Sequence, residues 1–139
     1  MASVKVTDRI EASADRVWDL VGDFGGIQRF SAGIESVSVA GEGVGAVRTI
    51  TLPGGMSLHE RLEARDPATR TLQYSIVGAH PMPFSDYLST IRLMEDGAAT
   101  QIEWSSDFAP KPGAEGQAAT IIEGIYRGGI AGLKKALRS

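Results

Sequence analysis

The residues with most chemical potential are polar side chains that fall on apolar strand faces. In residues 56–64 the apolar Met56, Leu58, Leu62 and Ala64 alternate, and Glu60 shares their parity. Ser57, His59, Arg61 and Glu63 take the opposite face. A carboxylate among apolar neighbours is costly unless it is paired, hydrogen-bonded or protonated. Desolvation that raises its pKa would suit Glu60 to general acid or base work. Further on, Tyr87 and Ser89 share parity with Ile91 and Leu93, while Ile102, Trp104, Ser106 and Phe108 share another face. Hydroxyls so placed orient a carbonyl or hydroxyl group of a bound molecule. A mostly apolar lining with a few convergent polar groups is the usual composition of a ligand pocket. A second reading stays open: Arg48 has the parity of Ile50 and Leu52, and Glu60 pairs with it inside a purely structural core.

Other motifs carry less. Gly41-x-Gly43-x-Gly45 has the look of a phosphate loop, but no helix follows whose N-terminus could bind the phosphate, so it reads as a hairpin turn. Ser85, His80 and Asp86 lack a nucleophile elbow and do not read as a triad. Trp18 and Trp104 read first as core side chains, Trp104 on the inward face of its strand.

The elements that must position these groups follow from hydrophobic periodicity. Val4, Val6 and Ile10 alternate with polar residues as a first strand. Ser13 then caps a short helix through Val21, and Phe24-Gly25-Gly26-Ile27 breaks it before a second short helix or turn through Phe30. From 34 to 108 the chain reads as six consecutive strands: around Val37 and Val39, then 47–52, 56–64, 72–77, 87–94 and 102–108. Gly-, Pro- and Asp-rich turns separate them. Short connections require antiparallel pairing. Residues 115–137 form the only long helix, with Ala118, Ile121, Ile122, Ile125, Tyr126, Ile130, Leu133 and Leu137 on one broad face. Gly124, Gly128, Gly129 and Gly132 lie within it, each costing about 1 kcal/mol relative to alanine. They mark close helix–sheet packing, room for a ligand, or both. The expected architecture is α+β, a curved antiparallel sheet of about seven strands wrapped around the C-terminal helix. Residues 1–139 are expected to form one domain.

Composition narrows the function classes. A net charge of −3 gives no electrostatic footprint for nucleic acid. No apolar run reaches the roughly 20 residues of a membrane span. Residues 1–7 alternate rather than forming a secretory leader, and a cytoplasmic protein is expected. With no cysteine and two histidines, His59 and His80, neither thiolate nor histidine-rich metal sites can be built. No metal or cofactor is expected.

A family resemblance joins these readings. Ile10-Glu11-Ala12-Ser13-Ala14-Asp15-Arg16-Val17-Trp18 resembles the strand-to-helix opening of the START-like (helix-grip) superfamily, which includes the major birch pollen allergen, bacterial polyketide cyclases and lipid-transfer proteins, and plant abscisic acid receptors. Leu52-Pro53-Gly54-Gly55, Glu60-Arg61-Leu62-Glu63, Tyr74-Ser75-Ile76-Val77-Gly78, His80 and Asp86-Tyr87 are similar to the middle of those receptors. The resemblance covers essentially the whole chain. It implies that Glu60, Tyr87 and Ser89 hold water and ligand polar groups, that Leu52 and Pro53 form a gate, and that His80 sits in a latch. Four positions depart from the receptors: Ser31 stands where they place a lysine, Pro81 and Met82 replace the latch arginine and leucine, and Gly129 stands near a pocket asparagine. Abscisic acid and phosphatase inhibition are therefore not expected, and the chain most resembles the bacterial cyclase and lipid-transport branch.

The expectation is a carrier or sensor for a small hydrophobic molecule: a lipid, polyketide or aromatic metabolite. Its expected contacts are Glu60, Tyr87, Ser89, Leu52, Pro53, His80, Met82, Trp104, Ile125 and Gly129. The alternative is an enzyme like a polyketide cyclase or dehydratase with Glu60 as acid or base. A protein partner is not specified by the sequence.

Overall fold

The computed structural model describes residues 1–31 and 33–138; position 32 and Ser139, the last residue of the expected domain, lie outside the described residues. Strand β1 (Ala2–Ile10) buries Val6 and Ile10 and exposes Lys5, Thr7 and Arg9. Ser13 caps α1 (Ala14–Val21), its hydroxyl accepting from the Arg16 amide at 3.3 Å. A 3₁₀ segment, Phe24–Arg29, follows. Six strands come next: β2 (Ser36–Ala40), β3 (Val47–Thr51), β4 (Ser57–Asp66), β5 (Thr71–Val77), β6 (Phe84–Asp96) and β7 (Ala99–Pro110). The chain ends in α2 (Glu115–Leu137).

The seven strands form one antiparallel sheet in the order β1-β7-β6-β5-β4-β3-β2. Strands β2 to β7 are a meander, and β1 closes against β7 with Val6 opposite Trp104. α2 packs against β1, β7 and α1, which gives the expected helix-grip arrangement. The turn between β6 and β7 needs a left-handed residue, and Gly97 supplies it at φ 62°. No helix among the described residues is long and apolar enough to cross a membrane.

Strands β6 and β7 outrun the lengths expected from alternation, because Phe84 and Pro110, Asp96 and Ala99 still pair at their ends. Two bulges also interrupt simple parity. At Ser85/Leu88 an extra residue, with Asp86 at φ 52°, lets both Phe84 and Tyr87 point inward. At Leu62/Ala64 the inward series stops, so Ala64 is only half-buried, and Met56 lies exposed ahead of β4.

α2 buries Ala118, Ile122, Tyr126, Gly129, Ile130 and Leu133, a narrower face than the sequence suggests; Ile125 is 46% exposed. Both readings of its glycines hold, at different positions. A Cβ on Gly129 would stand 2.6 Å from the Trp104 ring, and one on Gly132 1.6 Å from the Phe30 carbonyl oxygen. Those two glycines allow close approach. Gly124 and Gly128 have open space around them and border a cavity.

Candidate functional site

Between the concave sheet and the middle of α2 lies a cavity of about 330 Å³. Its walls come from Ile50 on β3, Leu58 and Glu60 on β4, Tyr74 and Ile76 on β5, Phe84 and Tyr87 on β6, and Trp104 on β7. α2 contributes Ile122, Ile125 and three glycines, and the partly exposed Ser31, Ile34, Leu52 and Met82 also border it. Alternation explains this wall: each strand sends every second side chain inward, and the strand order sets those side chains side by side.

Of the expected contacts, Glu60, Tyr87, Leu52, Met82, Trp104, Ile125 and Gly129 border this cavity. Ser89 does not; it is fully buried behind the wall, held by Tyr126 and Trp104. Pro53 and His80 lie outside the lining. His80 instead shapes the loop that carries Met82, its Nδ1 accepting from the Met82 amide at 3.2 Å and its ring 5.9 Å from that of Phe84. Partial burial and then the charge of Lys111 hold the His80 imidazole below its ordinary value.

Glu60 stands opposite Arg48 in the β3–β4 register. Arg48 Nε and Nη2 donate to Glu60 Oε1 at 2.8 and 2.7 Å. Arg48 Nη1 donates to the Phe24 carbonyl at 2.8 Å, and the guanidinium lies 4.2 Å from the Phe24 ring centre and 5.0 Å from that of Tyr74. The pairing alternative is thus the geometry observed, and Glu60 is not an isolated carboxylate. Its second oxygen, Oε2, receives no hydrogen bond from the described residues and is not sealed in the core. That oxygen is an acceptor open to an occupant.

A second polar cluster joins β5, β6, β7 and α2. The phenols of Tyr87 and Tyr126 share a hydrogen bond. Tyr126 donates to Ser89 Oγ at 3.0 Å, and Trp104 Nε1 lies 3.1 Å from Ser89 Oγ and 3.2 Å from the Tyr74 oxygen. The Trp104 and Tyr126 rings stack, with centroids 4.7 Å apart. Burial pushes all three phenols up, Tyr74 and Tyr87 farthest, so each keeps its proton at neutral pH. Ser106 Oγ is buried beside this group without a hydrogen-bond partner among the described residues.

Tyr74 and Tyr126 were not singled out as site residues from the sequence. Tyr74 shares parity with Leu72 and Ile76, which was a readable signal. Tyr126 sits at an apolar helical position, and nothing in the spacing reveals that its hydroxyl meets a tyrosine and a serine.

A wider groove of about 690 Å³ opens on the outer surface beside α1, lined in part by Trp18, Asp19, Asp23, Val39, Glu42 and Arg65. Its acidic groups are solvent-exposed, and Arg65 is occupied by the Gly22 carbonyl at 2.7 Å and the Trp18 ring. It lacks the buried, convergent polar groups of the inner cavity.

Comparison with known proteins agrees with this architecture. The family described as polyketide cyclase / dehydrase and lipid transport matches residues 1–138. The protein XoxI from Bacillus cereus is 33% identical, with 98% of this chain and 95% of that one covered and a TM-score of 0.89. An uncharacterised protein from Bacillus thuringiensis is 31% identical, covering 99% and 100%, with a TM-score of 0.90. The Zhui aromatase/cyclase from a Streptomyces species shares the fold at 22% identity, covering 97% and 90%, with a TM-score of 0.74.

Proposed function

We propose that this chain, which belongs to the polyketide cyclase/dehydrase and lipid-transport family, holds a small, neutral, hydrophobic molecule in the cavity beneath α2, as a carrier or sensor. The observation that carries this reading is the cavity itself: apolar walls closed by a glycine-bearing helix, with polar groups gathered on the sheet side. Its volume lies at the small end of ligand sites, which span roughly 300–1,000 Å³. Neutrality follows from Arg48. No cationic side chain lines the cavity among the described residues, and Arg48, which reaches it only through Glu60, is already occupied by Glu60 and the Phe24 carbonyl. An occupant carboxylate would lack a counter-charge there.

In this reading the whole chain, 1–139, acts as one cytoplasmic domain, and lipids, polyketides and aromatic metabolites are the candidate cargo. Native mass spectrometry of gently purified protein tests it. A retained small molecule, displaced by added hydrophobic compounds, is the expected result. Protein that retains nothing and binds no compound of a broad hydrophobic library would overturn it.

A second reading has its own observation, the unbonded Glu60 Oε2 within the cavity. It is a cyclase- or dehydratase-like enzyme in which that oxygen takes a proton from substrate. Glu60→Gln should then abolish turnover of a polyketide-like substrate, read in protein that circular dichroism shows still folded; unchanged turnover removes the assignment.

A further inference from the structure

Each hydroxyl has one proton to donate and two lone pairs to accept. Tyr126 donates to Ser89, so the proton of the Tyr87–Tyr126 hydrogen bond comes from Tyr87. Ser89 and Tyr74 are direct cross-strand partners, and both flank the single N–H of Trp104. The donor sequence therefore runs from Tyr87 to Tyr126 to Ser89, whereas Tyr74 enters the group as an acceptor from Trp104. The Tyr74 proton has no place in that sequence.

The position of the surplus proton matters. Tyr126 and Ser89 are sealed behind the wall, whereas Tyr74 borders the cavity, and no acceptor among the described residues receives its O–H. An unmatched buried donor is unfavourable, and a matching acceptor from an occupant relieves it. The Arg48 guanidinium over the Tyr74 ring withdraws electron density and strengthens the phenol as a donor. Tyr87 has the opposite status: it borders the cavity, but its proton is committed to Tyr126.

We infer that Tyr74, rather than Tyr87, is the specificity-determining hydroxyl of the pocket, donating to a carbonyl-type oxygen of a neutral, largely apolar ligand. The inference rests on the container reading above and narrows it to ketones, quinones and related acceptors. Glu60 Oε2, on the neighbouring strand, adds a place for a donor on the same ligand.

The test uses two probes of equal shape, acetylnaphthalene and its apolar isostere isopropenylnaphthalene, titrated by calorimetry against the full chain. Wild-type protein should prefer the ketone. Tyr74→Phe should lower that preference by about 3- to 10-fold, the span of a neutral hydrogen bond. Tyr87→Phe should weaken both probes together and keep the preference. A preference unchanged in Tyr74→Phe overturns the inference and leaves the container reading standing. Wild-type protein that binds neither probe overturns both. Should Tyr74→Phe fail to fold, carbon-13 NMR of tyrosine ring Cζ in wild-type protein decides: the ketone must shift Tyr74 more than Tyr87, and the reverse order refutes the assignment.

Discussion

Two polar clusters face the same cavity, one from β3 and β4, the other from β5, β6, β7 and α2. The first is a charged pair, Arg48 with Glu60, buried to 3% and 7% exposure and completed by the Phe24 carbonyl and two aromatic faces. The second is neutral, with Tyr87, Tyr126, Ser89, Tyr74 and Trp104 linked by hydrogen bonds and ring stacking. Charges out of water must be matched one to one, and removing either partner strands the other. Hydroxyls share their bonds, so losing one costs a hydrogen bond rather than an unpaired ion. Stranding one member of the ion pair should therefore cost the fold most, and the hydroxyl cluster is the part we propose to select what is bound.

Breaking the pair should have the largest effect. Arg48→Ala is expected to lose about 3–5 kcal/mol in urea denaturation, and Arg48→Met combined with Glu60→Leu should recover most of it. A single-mutant loss below about 1 kcal/mol would remove the contrast between the clusters. The hydroxyl cluster has its own signature in alkali. The three phenols stay protonated in the fold beyond pH 10, where unfolded tyrosines ionise. Their stabilisation is therefore complete below about pH 10 and falls as pH rises, by up to about 1.4 kcal/mol per pH unit for each phenol. Melting temperatures read alongside phenolate absorbance check this, and phenolate appearing before unfolding would contradict it.

Tyr126→Phe should cost about 1–3 kcal/mol, since it leaves the Tyr87 donor unmatched without unpairing a charge. A loss as large as that of Arg48→Ala would erase the distinction. Smallest and opposite in sign is Gly124→Ala, whose Cβ meets nothing within 4 Å. It should stabilise α2 by about 1 kcal/mol in thermal denaturation while trimming the cavity edge.

The layout of the fold was legible because it rests on period-two and period-3.6 patterns. β4 shows this well, with Leu58, Glu60 and Leu62 all inward as parity requires. What escaped was non-local. The bulge at Ser85/Leu88 puts Phe84 and Tyr87 on one face, which strict alternation forbids. Ile125 belongs to the helical stripe by spacing, but the cavity and its margin, not packed sheet, lie beneath it. Ser89 was expected at the ligand and stands one layer behind, because Tyr126, entering from α2, covers its hydroxyl. Pro53 and His80 were carried over on resemblance, and the cavity wall forms without them. Tyr74 needed the proton inventory of three strands and a helix, which no single segment contains.

The most direct test of the container is where an apolar aromatic probe lodges. Isotope-filtered NMR of methyl-labelled protein with acetylnaphthalene should give contacts from the naphthyl protons to the methyls of Ile50, Ile76, Ile122 and Ile125, which line the cavity from three elements. Contacts confined to Val39 and Leu62 at the outer groove, or none at all, would contradict an internal binding site.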